Sequence, residues 1–296
     1  MYIPLNKKFK TGLVVFCAAV AAIAVAVAVI LLMPKNAELC QLSMAGITDN
    51  EAVTLISHRG VSALAPENTL AAAEKAAEKG YSFVEFDIRR TKDGVWVLMH
   101  DASINRTTDG RGNVSELTFK QIISCNIDKG ENLAEYGSIT VPTLEAMLSL
   151  CSEKKLTPVI EIKQSGTEHV AELLNLLSDN WGGKCMIITF EREQIEEIHS
   201  LLHGGKTTLI SQNISLWWLT EDLSAQTLET AKSNTDIGVS FNGNKAGTKE
   251  EINSFKTQGI SLATWTVDSP ERLKELYSYG ITCFTTNAVT YNTAEG

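Results

Sequence analysis

Glu85 and Asp87 stand two residues apart inside the apolar run 83–89, and Glu161 and Lys163 stand two apart at the end of another, 157–163. A strand sends successive side chains to opposite faces, so Glu85 and Asp87 share one face while Phe86 takes the other, and Glu161 is aligned with Lys163 in the same way. If Glu85, Asp87 and Glu161 all face one cleft, three like charges converge and cannot all stay ionised without a cation. Carboxylate oxygens with water suit one hard divalent ion, Mg2+ or Ca2+, whereas zinc favours His and Cys. Spacing alone equally allows Glu85 and Asp87 to pair with Arg59, Arg89 or Arg90 as structural salt bridges.

His58, in His58-Arg59-Gly60 at the end of the run 54–58, and His100, in His100-Asp101, are candidates for acid and base because imidazole titrates nearest neutrality. A lone histidine at a strand end is also commonly structural. Arg59 and Lys163 beside the acids suggest a phosphate clamp, or else counter-ions for the carboxylates. Trp265, in Ala263-Thr264-Trp265-Thr266-Val267, reads as the floor of an apolar subsite or as filling for a barrel. Trp217-Trp218 reads as a helix–sheet contact rather than an exposed pair at a lipid interface.

Groups so far apart in sequence meet only if strand ends gather on one rim. Eight runs have strand character: 54–58, 83–89, 157–163, 185–190, 207–211, 237–242, 261–267 and 281–286. Helix-period segments lie between them, near 69–79, 144–155, 168–179, 191–202, 220–232, 248–258 and 270–279. The first carries Leu70, Ala73, Ala76 and Ala77 at helical intervals and stops at Gly80. Such alternation implies a parallel sheet closed as a TIM-type (β/α)8 barrel, whose functional groups come from the carboxyl ends of its strands. Two features are irregular: a long excursion at 91–143, and an eighth strand with too few residues after it for a full helix. The stretch 38–50 is expected to cover the flank so exposed.

The amino end differs from this body. Leu13 to Met33 is a run of 21 uncharged residues, long enough at ~1.5 Å per residue to cross a bilayer and longer than the apolar core of a secretory signal peptide. The sequence therefore divides into a cytoplasmic basic tail at 1–12, a single transmembrane helix at 13–33, a tether at 34–52 and a barrel domain at 53–296. Three Lys precede the span and one follows it, which places the body outside the cytoplasm at the cell membrane. Residues 36–296 hold 22 basic and 35 acidic residues, a poor balance for nucleic-acid binding. The six Cys show no ligand spacing and read as small buried hydrophobes. Oligomeric state has no signal in the sequence.

His58-Arg59-Gly60, Pro66-Glu67-Asn68-Thr69, Glu85-Phe86-Asp87, Thr91-Lys92-Asp93-Gly94, His100-Asp101, Arg106-Thr107-Thr108-Asp109-Gly110, Pro142-Thr143-Leu144-Glu145 and Glu161-Ile162-Lys163 occur in that order. Together they closely resemble the glycerophosphodiester phosphodiesterase family over roughly 54–290. The resemblance implies a TIM-type barrel and a divalent metal at Glu85, Asp87 and Glu161. It further implies His58 and His100 as the catalytic pair, with Arg59 and Lys163 on the phosphate of a small phosphodiester. The expected activity is metal-dependent hydrolysis of a glycerophosphodiester to glycerol phosphate and an alcohol. A lysophospholipid or a glycerol-phosphate polymer is the alternative substrate on the same barrel, and a catalytically silent membrane-tethered binding module is the alternative from another class. The chain departs from the family's usual Thr-Val-Asn and Thr-Asp with Thr266-Val267-Asp268 and Thr286-Asn287, a difference expected to fall on the leaving-group pocket.

Overall fold

The run Cys185–Thr189 is buried at all five positions, as is Gly238–Asn242. Parallel strands covered on both faces have this continuous apolar character. In the computed structural model, which describes residues 40–42, 53–204 and 213–291, the strands are β1 (Cys40–Leu42), β2 (Thr54–Ser57), β3 (Phe83–Arg90), β4 (Trp96–Leu98), β5 (Thr157–Ile162), β6 (Cys185–Thr189), β7 (Ile214–Thr220), β8 (Gly238–Asn242), β9 (Leu262–Trp265), β10 (Cys283–Thr286) and β11 (Val289–Tyr291). The helices are α1 (Leu70–Glu78), α2 (Phe119–Ile123), α3 (Leu144–Lys154), α4 (Val170–Asn180), α5 (Arg192–His203), α6 (Ala225–Ala231), α7 (Lys249–Lys256) and α8 (Pro270–Ser278).

Eight strands, β2, β3 and β5 to β10, pair in parallel in sequence order, and β10 pairs back with β2. This is the closed eight-stranded barrel expected from the strand–helix alternation. Apart from α4 and α5, its helices start where the sequence supplies side-chain caps. Thr69, Thr143 and Ser224 accept from the third residue of α1, α3 and α6. Thr248 and Glu251 form a reciprocal box at α7, and Ser269 precedes Pro270 at α8. Ile195, Ile198 and Leu202 of α5 illustrate how each helix buries one stripe against the sheet. Inside the barrel a smaller cluster of Ile56, Val159, Met186, Ile188 and Leu219 packs with Trp217 and Trp265.

The excursion is a small subdomain. β4 pairs antiparallel with the end of β3, and Val97, Met99, Ile104, Val114, Ile122, Ile127 and Val141 make a core of their own. Among the described residues no helix follows β10. Instead β11 pairs in parallel with β1, Cys40 against Val289 and Leu42 against Tyr291.

The fifth barrel strand is not the run 207–211, which lies outside the described residues, but Ile214–Thr220. Both runs are rich in β-formers. The second alternates, with Ile214, Leu216 and Trp218 packing outward and Trp217 and Leu219 inward. The tryptophan pair is thus split across the sheet wall, Trp218 forming the expected helix–sheet contact while Trp217 enters the barrel. The following helix starts later than position 220 because Asp222 turns the chain, accepting from Ser224 N and Thr227 Oγ1.

No helix among the described residues is long and apolar enough to cross a membrane, and the run 13–33 lies outside them. Cys125, Cys151, Cys185 and Cys283 are free thiols, and burial pushes Cys151, Cys185 and Cys283 up to about 12.

Candidate active site

Asp87 and Glu161 are register partners across β3 and β5. Neighbouring strands lie ~4.8 Å apart, so this pairing alone brings two inward carboxylates together, and Glu85 joins them from two residues earlier on the same face. Ligand oxygens of Glu85, Asp87 and Glu161 lie within 4.8 Å of one another. All three side chains are buried.

The surroundings neutralise this charge unevenly. Burial opposes ionisation of Asp87, but Arg59 and Lys163 outweigh it and hold its carboxyl below the usual range. Arg59 Nε lies 3.3 Å from Asp87 Oδ2, and Lys163 Nζ 3.5 Å from Oδ1. Asn68 adds a pair of bonds, Nδ2 donating to Asp87 Oδ2 at 2.8 Å and Oδ1 accepting from Asp87 N at 3.0 Å. Glu85 and Glu161 go the other way. Burial, then repulsion from Asp87, pushes Glu161 up to about 7, and burial with Asp87 and Glu161 pushes Glu85 well above the carboxylate range. Glu85 Oε1 and Asp87 Oδ1 are buried and accept no hydrogen bond. Buried carboxylate oxygens without donors are costly, and an oxygen set of this kind fits one hard divalent cation.

Of the three arginines expected to pair with Glu85 and Asp87, only Arg59 does so. Its backbone N–H also donates to Glu85 Oε2 at 2.8 Å. Arg90 pairs instead with Glu172, and Arg89 donates to the carbonyls of His100 and Lys163, tying the excursion to the rim at β5. The loop that carries Arg59 is specific in conformation. Arg59 and Asn68 have φ of 56° and 55°, and Gly60 has φ of 76° with any Cβ falling 2.5 Å from the backbone of Ala72. Glycine is required there so that α1 can approach and present Asn68.

His58 follows Ile56 by two residues and so faces inward at the rim, with Nε2 3.9 Å from Glu85 Oε2. Burial, then Arg59, lowers it to about 4. Its Nδ1 lies 2.8 Å from Asn287 Oδ1. His100, two residues after β4, lines the same cavity, with Nδ1 2.8 Å from Asp101 Oδ1. Burial lowers its pKa, with Asp87 and Asp101 opposing the shift. Asp101 is held far below the carboxylate range, first by Arg106, whose Nε donates to it at 2.7 Å. Arg106 continues to Glu67, which also accepts from Arg59 at 3.0 Å.

His58, His100, Glu161, Lys163, Phe190 and Trp265 line one cavity of about 340 Å³. The eight residues expected from sequence therefore converge, with Lys163 bonded to Glu161 and Trp265 serving both as barrel filling and as cavity wall. Phe190, 41% exposed, meets Trp265 edge to face at 5.3 Å. Phe190 was not expected, and Asn287 was noted only as a departure from the family pattern, although each stands two residues beyond an inward strand residue, Ile188 and Thr285. Asp268 and Asn287 bond to each other beside His58, so the departure from the family pattern touches a histidine's support.

A model of the Glycerophosphoryl diester phosphodiesterase family matches residues 58–290. Glycerophosphodiester phosphodiesterase 1 of Mus musculus is 41% identical over 130 residues, 44% of this chain and 39% of that protein. The chain thus spans about two fifths of the length of the mammalian relatives it matches. A glycerophosphodiester phosphodiesterase of Caldanaerobacter subterraneus is 28% identical over 237 residues, covering 77% of this chain and 90% of that protein. Among solved structures, a phosphodiesterase of Oleispira antarctica in complex with the product sn-glycerol-3-phosphate superposes with a TM-score of 0.70 at 22% identity, over 79% of this chain and 93% of that one. At that identity the likeness is one of fold.

Proposed function

Because the chain belongs to the glycerophosphoryl diester phosphodiesterase family, we propose that it hydrolyses a glycerophosphodiester to glycerol phosphate and an alcohol with one divalent cation at Glu85, Asp87 and Glu161. The observation that carries this reading is the convergence of those three buried carboxylates, two of them with an oxygen that accepts no hydrogen bond, beneath two imidazoles and the side chains of Arg59 and Lys163.

The cation, Mg2+ or Ca2+, supplies charge neutralisation for the phosphate oxygens. Arg59 and Lys163 hold the phosphate from the flanks. The glycerol hydroxyl next to the phosphate attacks phosphorus, one imidazole taking its proton as the new P–O bond forms. The other imidazole protonates the alcohol as the old P–O bond breaks. Water then opens the cyclic phosphodiester with the two proton transfers reversed. An internal nucleophile of this kind gains up to ~7 to 11 kcal/mol of effective concentration in well-aligned cases. Phe190, Trp265 and Leu219 form an apolar wall of the cavity, which would receive the departing alcohol.

The reading also includes attachment to the cell membrane through 13–33 with the barrel outside the cytoplasm, supported by the length of the apolar run and the flanking lysines. Release of glycerol phosphate from glycerophosphocholine, measured after chelation and after restoring Mg2+ or Ca2+, tests the activity. Turnover should vanish with chelator and return with metal. Absence of turnover with either ion, or full turnover without one, overturns the reading.

A further inference from the structure

Asp268 and Asn287 sit on neighbouring loops, after β9 and after β10. Asp268 Oδ1 accepts from Thr286 Oγ1 at 2.9 Å and from Asn287 N at 2.7 Å, and Oδ2 accepts from Asn287 Nδ2 at 2.7 Å. A carboxylate only accepts, so the amide group turned toward it must be the NH2. The amide oxygen is then turned the other way, where Ser62 Oγ donates to it at 2.9 Å and His58 Nδ1 lies at 2.8 Å. An amide oxygen only accepts as well. Of the two tautomers of a neutral imidazole, only the one with hydrogen on Nδ1 makes this bond.

We propose that Asp268 and Asn287 are positioning residues for His58: the carboxylate decides which way the amide points, and the amide decides which ring nitrogen carries the hydrogen. The polarity is passed along three groups in contact, and its result is a bare Nε2 facing the carboxylate triad and the cavity. Asp268 reaches no reacting atom. Its effect is to exclude the inverted amide, which would set NH2 against Nδ1 and put the hydrogen on the nitrogen that faces the substrate. His100 has a different support, because its Nδ1 meets a carboxylate directly with no orientable amide between them. The importance of this relay for turnover rests on His58 acting in the reaction proposed above, but its effect on the tautomer does not.

The test is long-range proton–nitrogen correlation on the full chain labelled with 15N-histidine, with the His58 ring assigned by its loss in His58→Ala. The wild type should show hydrogen on Nδ1 and a bare Nε2. In Asp268→Asn the amide is free to turn, and the Nε2–H form should appear while kcat falls at least about tenfold, with KM and metal affinity held. Adding Asn287→Asp to that variant restores an acceptor facing Nδ1 and should restore both tautomer and kcat, which separates orientation from mere damage to the loop. Hydrogen on Nε2 in the wild type, or an unchanged tautomer in Asp268→Asn, overturns the proposal. A chain with the expected tautomers but no phosphodiesterase turnover would instead overturn the reaction while leaving the relay standing.

Discussion

Arg106 meets Glu67 through two parallel hydrogen bonds of 2.8 Å, one from each terminal nitrogen of its guanidinium. The contact joins the excursion to the loop before α1. It also completes a chain of charge from His100 through Asp101, Arg106, Glu67 and Arg59 to Asp87. Arg106 is 46% exposed, so by itself the pair adds no more than ~1 kcal/mol to stability. Arg106→Gln and Glu67→Gln are therefore expected to lower kcat by about tenfold or more through loss of His100 placement, while the melting temperature shifts by only a few degrees. A fall in stability with kcat intact would show the latch to be structural.

Replacing a ligand should separate binding from folding. Glu85→Gln, Asp87→Asn and Glu161→Gln are each expected to weaken cation binding in calorimetry and to remove most activity while leaving the circular dichroism of the barrel unchanged. Undiminished cation affinity in all three would place the metal elsewhere.

The metal-free protein should carry a pH signature at Glu161. Its pKa in the fold is about 7 against a usual 4.5. The stability associated with its protonated form is present below the lower value and is lost as pH rises through the upper one. His58 titrates in the opposite sense and is common to wild type and variant, whereas Glu85 loses the repulsion of Glu161 in the variant, which adds to the same gain. In chelator, Glu161→Gln should therefore gain stability on the wild type as pH rises through about 7. Added Mg2+ or Ca2+ should reverse the ranking at the higher pH. Parallel stability curves in chelator would contradict the crowding of charge in the triad.

The route of attack is open to a substrate test. An analogue lacking the hydroxyl next to the phosphate should bind and be cleaved orders of magnitude more slowly, and His58→Ala and His100→Ala should each nearly abolish turnover with little loss of cation affinity. Normal turnover of the deoxy analogue would point to direct attack by water.

Protease added to intact cells expressing the chain should remove the barrel. Protection until the cells are permeabilised would reverse the proposed orientation.

Period-two reading of β3 and β5 was enough to place Glu85, Asp87 and Glu161 together, because in a parallel barrel an inward carboxylate has few places to point. The same rule carried two residues further would have found Phe190 at the rim and placed Asn287 there. The roles of Asn68, Glu67 and Arg106 were harder to see. They act through a left-handed turn and through a contact between segments 39 residues apart, neither of which leaves a periodic trace. The fifth strand was misplaced because local propensity cannot choose between two adjacent β-rich runs. The choice is made by the neighbours, as Ile187 pairs with Leu216 and Leu219 with Ser240.

His58 belongs to the barrel, whereas His100 is carried by a segment with its own small core. Structural units with separate cores open at different free energies. The two imidazoles of the proposed proton-transfer pair thus rest on different hydrophobic clusters. On heating, the smaller unit should release His100 while the barrel is still intact. Inactivation would then run ahead of melting, and rapid cooling from between the two midpoints would return activity without any refolding of the barrel.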